Sequence, residues 1–539
     1  MRRQLDASRL GLIIGAGVNR PIGFPDWETL VRRIAEHPDV NGTAFTAEIG
    51  KTPLPILIQI LLQHYGSLCS TVSLSQARNE RDKWRLIGAG FRRIMHECLY
   101  QDVPSSDDEL RVRDRFFTHF LAAVRSSPMT VTYNFDDTLE RLLLTERGEQ
   151  ERTKSRGFET ITDARQQFRL AKGVIYHPNG YLPRNLLEAT SQPVIFSEES
   201  LADQLLESLT GQYSTLLHHF SKTTCVFVGL SLDDPTLRHL LRQGAKLNPG
   251  HYHYLVSYVP QLPGELTLEQ EARSAANFEM LNLITLFLSE EGIASLGRLL
   301  SSDPQDLQQL SDDEGINLSY CFYLTGVPGV GKTTTLSYFK NLVTYDEWLE
   351  ELLPEMSRPW KELSSNERSK VDTWILQQVG LKNRRLVYDA QENRVGIALV
   401  DRCVPDAIAF TPTDEWSAKA HQLIAAVSPG RSTRRVHPGQ VILLVGDPAE
   451  IAIRAGMSGK ETTKEATEEL QRDTCTVYLA PGVTRLDVRD MSIAEVVRSV
   501  ADIIHRQDYE ACALHGLLEY FRNHGYDQST TVPKPGSEP

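Results

Sequence analysis

The stretch Gly326-Val-Pro-Gly-Val-Gly331-Lys332-Thr333-Thr334 follows directly on an apolar run, "CFYLT", in this 539-residue chain. Glycines spaced this way before a lysine and a threonine suit a loop whose backbone N–H groups cradle phosphates. Lys332 would reach the β/γ oxygens and Thr333 would coordinate Mg²⁺. A strand before it and a helical pattern after it, "TTTLSYFKNLV", make the match specific. Asp401 closes a second apolar run, "VGIALVD", with Arg402 beside it. A carboxylate there would organise the same Mg²⁺; a helix cap is the plainer reading.

A second glycine loop, Gly15-Ala16-Gly17, follows "LGLII", with Asn19, Pro25 and Trp27 shortly after. Small residues at a strand end let backbone N–H groups approach a pyrophosphate, and a following helix adds its positive end. Such a turn is structural as often as it is functional. Three polar clusters then follow in order: Asn134 and Asp136 in "TYNFDD", His177 and Asn179 in "YHPNGYLP", and Gly229 and Ser231 in "FVGLSLDDP". Taken singly they read as a helix cap, a turn filler and the start of "PTLRHLL", with Asp233 and Asp234 as caps. Their joint order is harder to assign to chance.

These residues need strands to hold them. Short apolar runs at "PMTVTYNFDD", "GVIYHPNGYL", "QPVIFS", "TTCVFVGLSL", "HYHYLVSYV" and "LNLITLFL" read as strands, and residues 28–125 carry helical periodicity. Alternating strands and helices imply an α/β fold in both halves: a Rossmann-like, mainly parallel sheet with a helical insertion, then a second α/β domain. The expected boundaries are 1–300 for the first domain, a polar acidic linker at 301–317, a second domain at 318–525 and a disordered tail at 526–539.

Composition narrows the field. The chain is 41% hydrophobic and 24% charged with a net charge of −13, which argues against a general nucleic-acid surface. No apolar run reaches the ~18 residues of a membrane span. The seven cysteines are scattered with no Cys-x-x-Cys pair, so neither a zinc ribbon nor a dithiol motif is expected, and a reducing cytoplasm is.

Across roughly residues 8–300 the chain resembles the sirtuin-like domain of bacterial anti-phage proteins, through "GAGVN", "IGFPDW", "NFD", the histidine-glycine turn and "GLSLDDP". The resemblance implies that the glycine loop (Gly15, Ala16, Gly17, Asn19, Pro25, Trp27) holds NAD. It also implies that Asn134 and Asp136 contact the nicotinamide riboside end and that Gly229 and Ser231 lie against the adenosine ribose. The family places its histidine base directly before the turn glycine, where this chain has Asn179; His177, two residues back, is the other candidate. The four-cysteine zinc module of deacetylating sirtuins is absent, which favours NAD cleavage by water over acetyl transfer.

Residues 318–523 look like the (deoxy)nucleoside and nucleoside monophosphate kinase group, on the phosphate loop, Asp401-Arg402 and "VILLVGDP". Gly326, Gly331, Lys332, Thr333, Thr334, Arg402 and Arg454 would hold ATP or another nucleotide, with Thr333 and Asp401 on Mg²⁺; Lys460 is a further lid cation, or solvated surface charge. The expected function is an NAD-hydrolysing anti-phage effector regulated by a nucleotide, soluble and homo-oligomeric, with a second defence protein or a phage-derived trigger as partner. The alternative is a bifunctional nucleotide kinase whose sirtuin-like domain only senses NAD or ADP-ribose.

Overall fold

The computed structural model describes residues 1–69, 79–146, 157–163, 169–188, 194–209, 214–232, 234–261, 264–358, 362–391, 396–428, 435–457, 459 and 462–526. The chain divides into two compact units, Met1–Asn248 with Tyr252–Ser302, and Pro249–His251 with Asp303–Pro539.

The first unit is built on seven parallel strands: β1 (Leu10–Ile14), β2 (Met129–Thr132), β3 (Glu159–Ile161), β4 (Val174–Tyr176), β5 (Thr224–Val228), β6 (His253–Tyr258) and β7 (Leu283–Leu288). Their order is β3-β4-β2-β1-β5-β6-β7. β1 and β5 are buried along their whole length, as continuous apolar strands covered on both faces must be. After β1 the chain builds one side of the sheet and then returns to lay β5 against β1's other edge. That reversal leaves a crevice beyond the carboxyl ends of the two strands. Between β1 and β2 the expected helical insertion contains helices Trp27–Glu36, Leu54–Leu68, Glu80–Leu99, Asp107–Arg113 and Leu121–Ser126. Their apolar faces, including Leu30, Leu61 and Ile94, join β1 in one core.

One expected strand fails. Of "QPVIFS", Val194–Ser197 is irregular, and residues 192–193 lie outside the described residues. The sheet edge is taken by β3, which sequence reading missed, and Ile195 N–H instead donates to the Asn179 carbonyl at 2.8 Å.

The second unit has five parallel strands: β8 (Tyr320–Thr325), β9 (Val343–Tyr345), β10 (Ile397–Asp401), β11 (Gln440–Val445) and β12 (Val483–Asp487), in the order β12-β11-β8-β10-β9. The helix expected over "TTTLSYFKNLV" stops at Leu336, because Val343–Tyr345, rich in β-branched and aromatic side chains, pairs with β10. The polar stretch 301–317 contains a helix, Pro304–Glu314. The Asp303 side chain caps the N–H groups of Gln305 and Asp306, and Gly315 closes it at φ 64°. Most of 526–539 lies outside the described residues. All seven cysteines are free thiols, five of them buried. Among the described residues no helix is long and apolar enough to cross a membrane.

Candidate functional site

The loops after β1 and β5 interlock through backbone. Gly15 N–H donates to the Val228 carbonyl at 3.0 Å and Gly17 N–H to the Gly229 carbonyl at 2.9 Å. A Cβ on Gly15 would stand 2.5 Å from the Gly229 oxygen, and Gly229 itself sits at φ +70°. The glycines are therefore needed first for loop-on-loop packing, a cause nearer than contact with any ligand. The helix that follows, expected to add its positive end, is a 3₁₀ helix, Ala16–Ile22.

A cavity of about 850 Å³ opens beyond these loops. Gly15, Ala16, Gly17, Trp27, Gly229 and Ser231, all read from sequence as ligand-binding, line it, and so does Asn179. Pro25 is not part of its wall among the described residues, nor are Asn19, Asn134, Asp136 and His177. Asp234 caps helix Pro235–Leu247 through the Leu237 N–H at 2.7 Å; Asp233 lies outside the described residues.

Asn19, Asn134 and Asp136 do come together, as a buried cluster joined to the wall. Asn134 Nδ2 donates to the Gly15 carbonyl at 3.3 Å, and Asn19 Nδ2 donates to Asp136 Oδ2. The side-chain oxygens of Asn19 and Asn134 are buried with no partner, so each is an acceptor still to be satisfied. Burial pushes the Asp136 carboxyl up to about 6; donation from Thr138 pulls against that, and the neighbouring Asp137 charge adds to it.

His177 is fully buried, and both ring nitrogens are used. Nδ1 lies 3.0 Å from the Asn134 carbonyl and Nε2 lies 2.9 Å from Glu140 Oε1, which also accepts from Thr160 Oγ1 at 3.0 Å. Burial alone would lower its pKa. The Glu140 carboxylate and the two hydrogen bonds outweigh burial and raise it, and with both ring nitrogens turned to buried acceptors neither is open to the cavity. The two side chains were expected on one face of an extended strand. β4 ends at Tyr176, however, and the Gly180 N–H closes a turn onto the His177 carbonyl at 3.2 Å, which separates His177 from Asn179.

Asn179 is held by a residue that no sequence signal marked. Gln204 Nε2 donates to Asn179 Oδ1 at 3.1 Å and to the Pro178 carbonyl at 3.2 Å. With its oxygen so engaged, Asn179 is pinned at the cavity wall. Glu140 was likewise missed; both act across long sequence separations, on helices whose pattern only reports amphipathicity.

In the second unit the loop has the expected strand–loop–helix setting. Gly326, Gly329 and Gly331 take φ values of 138°, 86° and 107°, which side chains resist. Lys332 is buried and donates to the carbonyls of Gly326 (2.9 Å) and Val327 (3.0 Å). Burial, with Arg402 nearby, lowers its pKa to about 7. Thr333 Oγ1 donates to Asp401 Oδ2 at 2.9 Å, while Asp401 Oδ1 is buried without a partner. One hydroxyl and one carboxylate with a vacant oxygen fit Mg²⁺, which takes few protein ligands and keeps several waters. Among the described residues no three His, Cys, Asp or Glu side chains converge as a metal site.

Arg402 sits at φ 65° with Nε 2.5 Å from Glu347 Oε1 and its guanidinium 4.9 Å from the Phe410 ring centre. Lys382 donates to the Asp346, Glu347 and Asp401 carbonyls at 3.2, 2.9 and 2.8 Å. Neither Glu347 nor Lys382 was marked in the sequence. Thr334 continues the short helix, exposed, and Arg454 pairs with Glu450 one helical turn back at 3.1 Å, half-exposed. Lys460 lies outside the described residues.

The SIR2-like domain family profile matches residues 128–282. No curated protein matches the sequence. Similar solved structures include thymidylate kinase from Candida albicans, with 13% identity and a TM-score of 0.27, covering 36% of this chain and 97% of that one. Thymidylate kinase from Ehrlichia chaffeensis has 15% identity and a TM-score of 0.23, covering 35% and 99%. The NadR protein in complex with NR has 14% identity and a TM-score of 0.24, covering 63% and 79%.

Proposed function

We propose that the first unit is an NAD-cleaving site and that the chain is an anti-phage effector whose phosphate-loop unit regulates it by binding a nucleotide with Mg²⁺. The observation that carries the reading is the cavity at the β1/β5 reversal, with the glycine interlock at its centre and unsatisfied amide oxygens next to its wall. The SIR2-like match over residues 128–282 supports the choice of NAD.

Cleavage of the nicotinamide–ribose bond develops positive charge at the anomeric carbon, which water then captures, in the manner of glycoside hydrolysis. The Gly15 and Gly17 N–H groups are spent on the Val228 and Gly229 carbonyls, so the Gly15–Gly17 loop serves the pyrophosphate as a surface of small residues, and Asn134 braces that loop from behind through the Gly15 carbonyl, next to the nicotinamide riboside end. Asn179, pinned at the wall, takes up no proton. With both His177 nitrogens paired and the ring off the cavity wall, the attacking water has no base at positions 177 or 179, and the chain as given binds NAD and turns it over slowly. Asn179→His puts an imidazole at the cavity wall. Nicotinamide release by that variant well above the parental rate is the expected result, and an equal rate sinks the catalytic reading.

The missing base also favours a second reading, a nucleotide kinase whose first unit senses NAD or ADP-ribose. Tight NAD binding with no turnover in either chain, together with phosphorylation of a nucleoside monophosphate, would select it.

A further inference from the structure

The cavity follows the carboxyl ends of six adjacent strands, from Asn179 after β4 to Glu290 after β7. Five strand spacings of ~4.8 Å give roughly 24 Å, a length suited to an extended dinucleotide. With the amide-rich end at β4 and β2 taking nicotinamide riboside and the glycine loop taking pyrophosphate, the adenosine half falls at β6 and β7. There the wall carries Arg115, Phe116, Tyr258 and Glu290.

This end is preorganised. Asp114 accepts the N–H groups of Phe116, Phe117 and Thr118 at 3.1, 2.9 and 2.7 Å, which fixes the turn that presents Arg115. Glu290 opens helix Glu290–Ser301, capped by Ser289. Phe116 meets the exposed Tyr258 ring edge-to-face at 5.9 Å. Arg115 Nη1 donates to Glu290 Oε2 at 3.2 Å.

We propose that the Arg115–Glu290 pair makes this site select a dinucleotide with a free 2′-hydroxyl on its adenosine ribose over the 2′-phosphorylated form. The proposal rests on the NAD reading of the cavity. A carboxylate accepts a hydrogen bond from a ribose hydroxyl and repels a phosphate. Arg115, the cation beside it, is held by the same carboxylate, so rejection is built from a like charge and an occupied partner.

The test is calorimetric binding of NAD and NADP to the full chain, which needs no turnover. NAD should bind the parental protein tighter than NADP by roughly tenfold, the scale set by one or two partly exposed charge contacts. Glu290→Gln releases Arg115 and should narrow that ratio severalfold, chiefly by tightening NADP; adding Arg115→Ala should remove the gain. Glu290→Ser serves as the second variant if the glutamine form fails to fold. Equal binding of both dinucleotides by the parental chain, or an unchanged ratio in the folded variants, overturns the selection while leaving the NAD reading standing. Binding of neither dinucleotide overturns the NAD reading and the selection with it.

Discussion

The two candidate sites hold charge in opposite ways. In the second unit Lys332, Lys382 and Arg402 stand among Asp401, Glu347 and Asp406, so buried and half-buried cations and anions balance around one loop. In the first unit the buried polar groups next to the cavity include the amides Asn19, Asn134, Asn179 and Gln204 and the Asp136 carboxyl, pushed up to about 6 by burial, while the charged pair on its wall, Arg115 and Glu290, is more exposed. A phosphate brings its charge with it and needs cations already in place. A bond to an already cationic nicotinamide, whose positive charge only moves onto the ribose as it breaks, is better served by oriented dipoles than by further cations. The difference also sets how each site is built: one around nine consecutive residues with charged partners brought to them, the other from the ends of strands spread over the whole unit.

The largest expected effect tests the amide site. Asn179→His should raise nicotinamide release by roughly 10²–10⁴-fold, the usual worth of a general base, with NAD affinity nearly unchanged. An increase seen only in affinity would mean that position 179 binds without taking part in the chemistry.

His177→Ala should act on stability. It leaves Glu140 buried alone, and removing one partner of a buried pair costs about 3–5 kcal/mol, readable in the denaturant midpoint of the first unit. Because the folded-state pKa of His177 is raised, its contribution is complete below the reference value of about 6.5. It is lost as pH climbs through the folded value, so the gap between parent and variant should shrink towards alkaline pH. A constant gap would mean that packing alone, and not charge, holds the ring.

For the charged site, Lys332→Ala should weaken nucleotide binding by roughly 2–3 kcal/mol in calorimetry, the scale of a charge-assisted hydrogen bond. Unchanged affinity would remove the phosphate reading of the loop. A smaller effect concerns protons. Burial holds the Lys332 ammonium at about 7, so at pH 8 much of it is neutral before phosphate arrives. Binding should then take up a fraction of a proton, seen as a dependence of the measured heat on buffer ionisation enthalpy. No uptake would mean that the lysine is already charged in the free protein.

The phosphate loop was legible in the sequence because its chemistry is local: glycines at positive φ, a lysine and a threonine within one turn of chain. The parallel α/β architecture was equally legible, since buried parallel strands must be continuous apolar runs. Harder to read was a strand as short as Glu159–Ile161, which owes its place to pairing with β4 rather than to its own pattern. The helix Pro304–Glu314 was hidden for another reason. Its cap signals, Asp303 before a proline and Gly315 after, sit in a segment polar enough to read as a linker.

At the amide site the sequence by itself determined the inventory: Gly15, Gly17, Asn134, His177, Asn179 and Gly229, in that order. Tertiary structure decided their roles. Two residues apart, His177 turns inward to Glu140 and Asn179 faces the cavity, because the strand ends at Tyr176 and a carboxylate 37 residues back in the sequence captures the imidazole. Which of two neighbouring side chains meets a ligand depends on such distant partners. No local periodicity encodes them, since burial and hydrogen bonding are settled only when the strands and helices come together.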